Sequence, residues 1–264
     1  MKEFITINLQ QGDFPLVAAA IHNGHALSDD VRDIIALNEA ERLREEDPFT
    51  GLWSGITDKK IIAHYSRFQV DLNRPRDKAV YLEPEDAWGL NVWKTRPTPG
   101  LLSQALGIYD SFYDELHRGF TGLKNQYGRF IVYDLHSYNH HRQGPKGPAD
   151  DPQLNPEVNI GTGTMVRSHW DAIVDRFITD LRAFNFRGRN LDVRENVKFK
   201  GGYFPRWIHE NFPASVCCIS IEFKKFFMDE WTGESNQVQL HTIGEALMST
   251  VPGVLAELKK FDLL

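Results

Sequence analysis

The sequence predicts an α/β fold of three layers, with a mixed but mostly parallel central sheet flanked by helices. Three observations carry this expectation. Short apolar runs of strand length alternate with longer stretches of helical periodicity along the chain. Two of the runs break off into polar clusters, at His22-Asn23-Gly24-His25 and at Asp134-Leu135-His136-Ser137, and open α/β sheets gather their chemistry at strand ends of this kind. No composition shift, internal repeat or low-complexity tract divides the 264 residues, so one domain over 1–264 is expected.

The elements follow in order. Phe4 to Leu9 alternates and leads into a Gln-Gln-Gly-Asp turn, which predicts a first strand. Leu16 to Ile21 is wholly apolar and reads as a second. Ser28-Asp29-Asp30 offers an N-cap and an acidic first turn for a charged helix over 29–46, stopped by Pro48. Lys60 to Tyr65 and Phe68 to Leu72 read as strands, and 78–99 as irregular. Leu102, Ala105, Tyr109, Phe112, Leu116, Phe120 and Leu123 step by three and four, the spacing of one helix face over 101–127, and Gly128 ends it. Strand 129–135 comes next, then a long Gly/Pro/His loop to Pro156, of the length that forms binding walls. Extended 158–164 leads into a helix over 165–185. Val197 to Tyr203 reads as extended, Val216 to Phe223 as the last strand, and 237–260 as a final helix with Val251-Pro252-Gly253 as a possible break.

Bulk properties narrow the function. Hydrophobic residues make up 41% and charged residues 25%, as in an ordinary globular protein. A net charge of −6 argues against nucleic-acid and membrane-surface partners. No apolar run reaches the length of about 18 residues that spans a bilayer, and Met1 to Ile7 lacks the pattern of a signal peptide. Cys217 and Cys218 are adjacent in a strand, so their side chains point to opposite faces and do not bond each other. A reducing cytoplasm is therefore the expected setting.

The candidate chemistry is histidine and carboxylate chemistry. His22 and His136 both close apolar strands and can meet at one sheet edge. A catalytic zinc site needs three protein ligands and an open position, so a third ligand is required. Glu45, Glu46 and Asp47 end a helix, where the dipole favours cations rather than acids, and a bound cation nearby would account for them. His25, three residues after His22, is a further candidate. Asn73 and Arg74 offer an amide and a guanidinium for a carboxylate. Glu222 interrupts the apolar Ile219 to Phe223, so it either pairs with a basic residue or serves as a general base with a raised pKa.

Taken together these segments resemble the N-formylglutamate amidohydrolase family, which is related to aspartoacylase and the zinc carboxypeptidases. The resemblance runs in order through His22-Asn23-Gly24, Asp47, Tyr65 to Pro75, Asp134-Leu135-His136-Ser137, Asn159 to Thr162, Lys200 to Tyr203, and Ile221-Glu222-Phe223 with Phe227 to Glu230. It implies a zinc-carboxypeptidase-like α/β fold and one Zn²⁺ held by His22, Asp47 and His136. The relatives' His-x-x-Glu spacing is His22-x-x-His25 here. The second ligand therefore stands between Asp47, Glu46 and His25, with Asp47 preferred as the match to an acidic position in the wider family. The resemblance further implies Glu222 as general base, Arg67 or Arg74 on the oxyanion, and Asn73 and Arg74 on the substrate carboxylate. Tyr203 and Arg206 are further substrate-binding candidates, and Asp134 and Ser137 orient the ligands. The implied reaction is hydrolysis of an N-acyl amino acid such as N-formyl-L-glutamate. The alternatives are another N-acyl amino acid, a small carboxylate-bearing peptide, or a non-catalytic binding protein for acidic metabolites.

Overall fold

The computed structural model describes residues 4–261. The first three residues of the segment read for a leader, and the ends of the 1–264 span, lie outside them. Seven strands form one sheet: β1 (Ile5–Asn8), β2 (Leu16–Ala20), β3 (Lys60–Ala63), β4 (Phe130–Tyr138), β5 (Val158–Gly161), β6 (Val193–Glu195) and β7 (Val216–Lys224). Their spatial order is β1-β3-β2-β4-β7-β5-β6. The core pairs β3–β2, β2–β4 and β4–β7 are parallel, as is β5–β6, while β1 pairs with β3 and β5 with β7 antiparallel. The sheet is mixed and mostly parallel, as expected, and helices cover both faces.

Side-chain alternation explains the layers. Ile131, Tyr133 and Leu135 of β4, with Cys217, Ile219 and Ile221 of β7, pack into one core with helices α5 (Asp171–Ala183) and α7 (Gln237–Phe261). Phe130 and Val132, with Val216 and Cys218, pack into the other with α4 (Pro99–Tyr127) and α6 (Tyr203–Asn211). Continuing that second row toward the strand ends brings Asp134 and His136 on β4, and Ser220 and Glu222 on β7. His136 and Glu222 are direct partners in the β4–β7 register. The apolar period that builds the core therefore delivers the polar residues to one edge. Cys217 and Cys218 are free and buried in opposite cores.

Several expectations are corrected. The helix expected over 29–46 is two, α1 (Asp29–Ile34) and α2 (Glu39–Glu45). Asn38 starts α2 with a capping box to Glu41, while Ile35 is extended, bridges to Trp93, and joins a third small core with Leu27, Val31 and Tyr81. Phe68 to Leu72 is not a strand but a chain of turns. The Gln69 and Ser66 backbones bond locally, and polar Gln69 and Asp71 are buried along with their apolar neighbours. A short helix α3 (Thr50–Trp53) follows Pro48, α5 begins only at Asp171, and β4 runs three residues past Leu135. The 197–203 stretch gives way to α6 at Tyr203, and β6 is a three-residue strand with no legible period. Helix α7 runs unbroken through Pro252. There Gly253 permits close packing on α5, since a Cβ would meet Asp180 Oδ2 at 2.0 Å. Among the described residues no helix is long and apolar enough to cross a membrane.

Candidate metal centre

Three buried groups meet at the carboxyl edge of the central strands. His22 follows β2, Asp47 follows α2 and His136 stands near the end of β4. One nitrogen or oxygen from each lies within 4.8 Å of the others, and this is a group that can hold a metal ion. The Nδ1 atoms of His136 and His22 face the same Asp47 Oδ2, at 2.9 and 3.4 Å, and the imidazole centroids are 5.0 Å apart.

The donor chemistry fits a metal. The far nitrogen of each imidazole is held by its own carboxylate: His22 Nε2 by Asp71 Oδ1 at 2.7 Å, and His136 Nε2 by Asp134 Oδ1 at 2.8 Å. A carboxylate behind a ligating histidine fixes its tautomer and raises its basicity. Burial works to raise the Asp47 carboxyl, but hydrogen bonds from His136 and His22 outweigh it and hold the group well below the usual carboxylate range. Burial likewise works to lower the His136 imidazole, and Asp134 and Asp47 overcome it and raise it well above its ordinary value.

The other two candidates for the second ligand turn away. His25 Nδ1 meets Glu46 Oε2 at 2.5 Å, and the second Glu46 oxygen accepts from Ser66 Oγ. Each member of the acidic triplet thus faces a different partner: Glu45 the guanidinium of Arg142, Glu46 His25 and Ser66, and Asp47 the two imidazoles. The chain turns sharply after Asp47, with Phe49 in the left-handed region at φ 72°.

All nine site residues expected from the sequence line one cavity of about 500 Å³. Glu222 has no hydrogen bond or ion pair to its carboxylate among the described residues. Burial, with Asp47 and Asp134 adding to it and His136 opposing, pushes its pKa up to about 8. The Arg67 guanidinium is fixed by Asp71 Oδ2 at 2.8 Å and by the Tyr81 hydroxyl at 3.0 Å, and lies 4.9 Å from the Trp88 ring centre. Arg74 is half-exposed, 4.0 Å from Asp71. Asn73 Oδ1 accepts from the Phe204 amide at 2.9 Å and so ties down the first turn of α6, where Tyr203 and Arg206 stand. That closeness demands Gly202, whose Cβ would lie 2.2 Å from Asn73 Oδ1.

Ser137 lies on the opposite side of β4 from His136, and its buried hydroxyl has no hydrogen-bond partner among the described residues, so it makes no contact there that would orient the ligands as expected. Sequence reasoning missed Asp71, which gathers His22, Arg67, Tyr81 and the Asn73 amide on one carboxylate. It also missed Lys225. Its ammonium is buried and donates to the Arg44 and Glu46 carbonyls at 2.6 and 2.7 Å, beside Asp47. Asp71 shares the polar face of the Phe68 to Leu72 alternation with Gln69, so local sequence carried no signal for its burial.

A buried His/Asp/His group at the carboxyl edge of an α/β sheet, opening into a cavity, is compatible with a hydrolase that binds a metal ion. Residues 14–228 match the model of the N-formylglutamate amidohydrolase family, and the chain belongs to that family. It is 31% identical over 245 residues to the N-formylglutamate deformylase of Pseudomonas putida, covering 85% of each chain. In fold it is similar to an N-formylglutamate amidohydrolase from Ralstonia eutropha JMP134, with a TM-score of 0.72, 18% identity and coverage of 97% and 98%. A gene product of Agrobacterium tumefaciens follows, with a TM-score of 0.65, 15% identity and coverage of 97% and 96%.

Proposed function

We propose that this protein is a zinc-dependent amidohydrolase, one domain over 1–264, that converts N-formyl-L-glutamate to formate and L-glutamate. The observation that carries the reading is the unpaired Glu222 carboxylate beside the His22–Asp47–His136 group, in a cavity otherwise rich in cations. Family membership and the name of the Pseudomonas putida relative support the substrate. Two free, buried cysteines fit a cytoplasmic setting.

His22, Asp47 and His136 would hold the Zn²⁺. When bound, the ion polarises the formyl carbonyl and makes water acidic near neutral pH. Glu222 takes a proton from the attacking water as its oxygen bonds to the formyl carbon, then delivers that proton to the amide nitrogen as the C–N bond breaks. Arg67, held rigid by Asp71 and Tyr81, presents its charge to the developing oxyanion without reorganising. Asn73 and Arg74 receive the substrate's α-carboxylate, with Tyr203 and Arg206 walling that end of the cavity.

The test is formate release. Protein stripped by a chelator is reloaded with Zn²⁺ and offered N-formyl-, N-acetyl- and N-succinyl-L-glutamate. Zinc-restored release of formate from the first, well above cleavage of the others, is expected. Zinc-loaded protein that leaves N-formyl-L-glutamate intact would overturn the reading.

A further inference from the structure

The chain carries a net charge of −6, yet its cavity inverts that balance. Seven Lys and Arg side chains line it against three Asp and Glu. Three of these cations are already engaged, and Lys200 lies just before the first turn of α6, on the side of the cavity that packs on Asn73. Arg67 is locked by Asp71 and Tyr81, Lys198 donates to Asn155, and Lys225 is spent on two backbone carbonyls. Arg206 stands on α6, whose first turn is tied to Asn73, and so shares the Asn73–Arg74 end.

Arg142 differs from these. It enters from the β4 side, in the loop that follows Tyr138, and its side chain is 43% exposed. Its Nη1 and Nη2 face the two oxygens of Glu45 at 3.4 and 3.3 Å, a fork-on-fork arrangement. Tight charge-assisted pairs close to roughly 2.7–2.9 Å, so this guanidinium is aligned for a carboxylate but loosely held. Glu45 is buried and keeps a second cation, Arg44, at 3.6 Å, so it is not left unpaired when Arg142 departs. The backbone just before Arg142 is pinned. Glu230 receives the His140 and His141 amides at 2.6 and 3.3 Å, and the Trp231 indole donates to the His141 carbonyl at 2.9 Å. A fixed backbone anchor with an exchangeable planar fork is what recognition of a mobile carboxylate requires.

We propose that Arg142 reads the side-chain carboxylate of the substrate, exchanging Glu45 for it, and so makes the site select N-formyl derivatives of acidic amino acids. This rests on the deformylase reading above. Glu45 holds the fork in register in the free enzyme and takes Arg44 when substrate enters.

The experiment compares N-formyl-L-glutamate with its neutral isostere N-formyl-L-glutamine, using zinc-loaded protein of verified metal content. Wild type is expected to prefer the glutamate substrate. Arg142→Ala should lower kcat/KM for that substrate by about 10- to 100-fold, chiefly through KM, as befits loss of a hydrogen-bonded charge. The glutamine substrate should change by less than about threefold, and Arg142→Lys should recover part of the preference. An equal loss on both substrates would make Arg142 a structural latch and overturn the proposal, as would an unchanged preference in Arg142→Ala. Wild type that releases formate from neither substrate overturns the deformylase reading and Arg142's role with it. An active wild type with preference intact in Arg142→Ala removes Arg142 alone.

Discussion

Asp71 holds the Nε2 edge of His22 at 2.7 Å, which leaves Nδ1 as the nitrogen that faces Asp47. The same carboxylate anchors Arg67 and the Asn73 amide. Burial alone would raise its pKa, but Arg67 and His22 outweigh that and keep it ionised. Asp71→Ala should therefore weaken zinc binding by about 10- to 100-fold, the usual cost of losing the carboxylate behind a ligating histidine. Competition against a chromogenic chelator reads this directly. Asp71→Asn, which still accepts a hydrogen bond, should fall between the two.

Glu222 is the group through which the proposed reaction moves its proton, and it is not among the donors that converge on the metal position. Glu222→Gln should retain stoichiometric zinc and lose turnover by about 100-fold or more, the scale of general-base catalysis. Near-normal turnover would remove it from the mechanism.

The metal-free protein should carry the mark of Glu222 in its pH dependence. Burial raises this carboxyl from its ordinary 4.5 to about 8 in the folded chain. Between those values the folded state keeps a proton that the unfolded state has released, so stability falls as pH rises through this window. His136 adds to the trend, because its raised pKa stabilises the fold below about 6.5 and that contribution fades as pH climbs through the folded value. Asp47 and Asp71, both depressed, act oppositely and only at the acid end, below about 4. Urea titrations of the metal-free protein from pH 5 to 8 should show declining stability, with a shallower decline in Glu222→Gln.

What could be read in advance follows from range. The rows Phe130-Val132-Asp134-His136 and Val216-Cys218-Ser220-Glu222 have period two, so both the core face and the polar edge were visible in local alternation. The convergence of His22, Asp47 and His136 came from strand ends and from the family resemblance. What failed to show depends on contacts distant in sequence. Ile35 breaks the expected 29–46 helix because it bridges to Trp93 and joins a separate core. Asp71 looked like one alternating residue of a strand, whereas its burial is explained only by His22 and Arg67 arriving from elsewhere. Asp47 was preferred over Glu46 and His25 on the family resemblance alone, whereas the bond between Glu46 and His25, which turns both away, depends on a contact distant in sequence.

The Lys225 side chain is buried and its ammonium bridges the Arg44 and Glu46 carbonyls. Those carbonyls belong to the C-terminal end of α2, where the helix leaves acceptors without intrahelical donors, and they flank the approach to Asp47. Burial lowers the lysine's pKa, while Asp47, Glu45 and Glu230 oppose that. Lys225→Met keeps the aliphatic stem but strands two buried acceptors, at a cost of about 1–3 kcal/mol each. A lower thermal midpoint is therefore expected in the metal-free protein. If Lys225 also positions Asp47, zinc affinity must fall while the His22–Asp71 pair stays intact, and added zinc should restore stability only at concentrations above those that suffice for wild type. A variant that melts earlier yet binds zinc as tightly as wild type would confine Lys225 to holding the helix end.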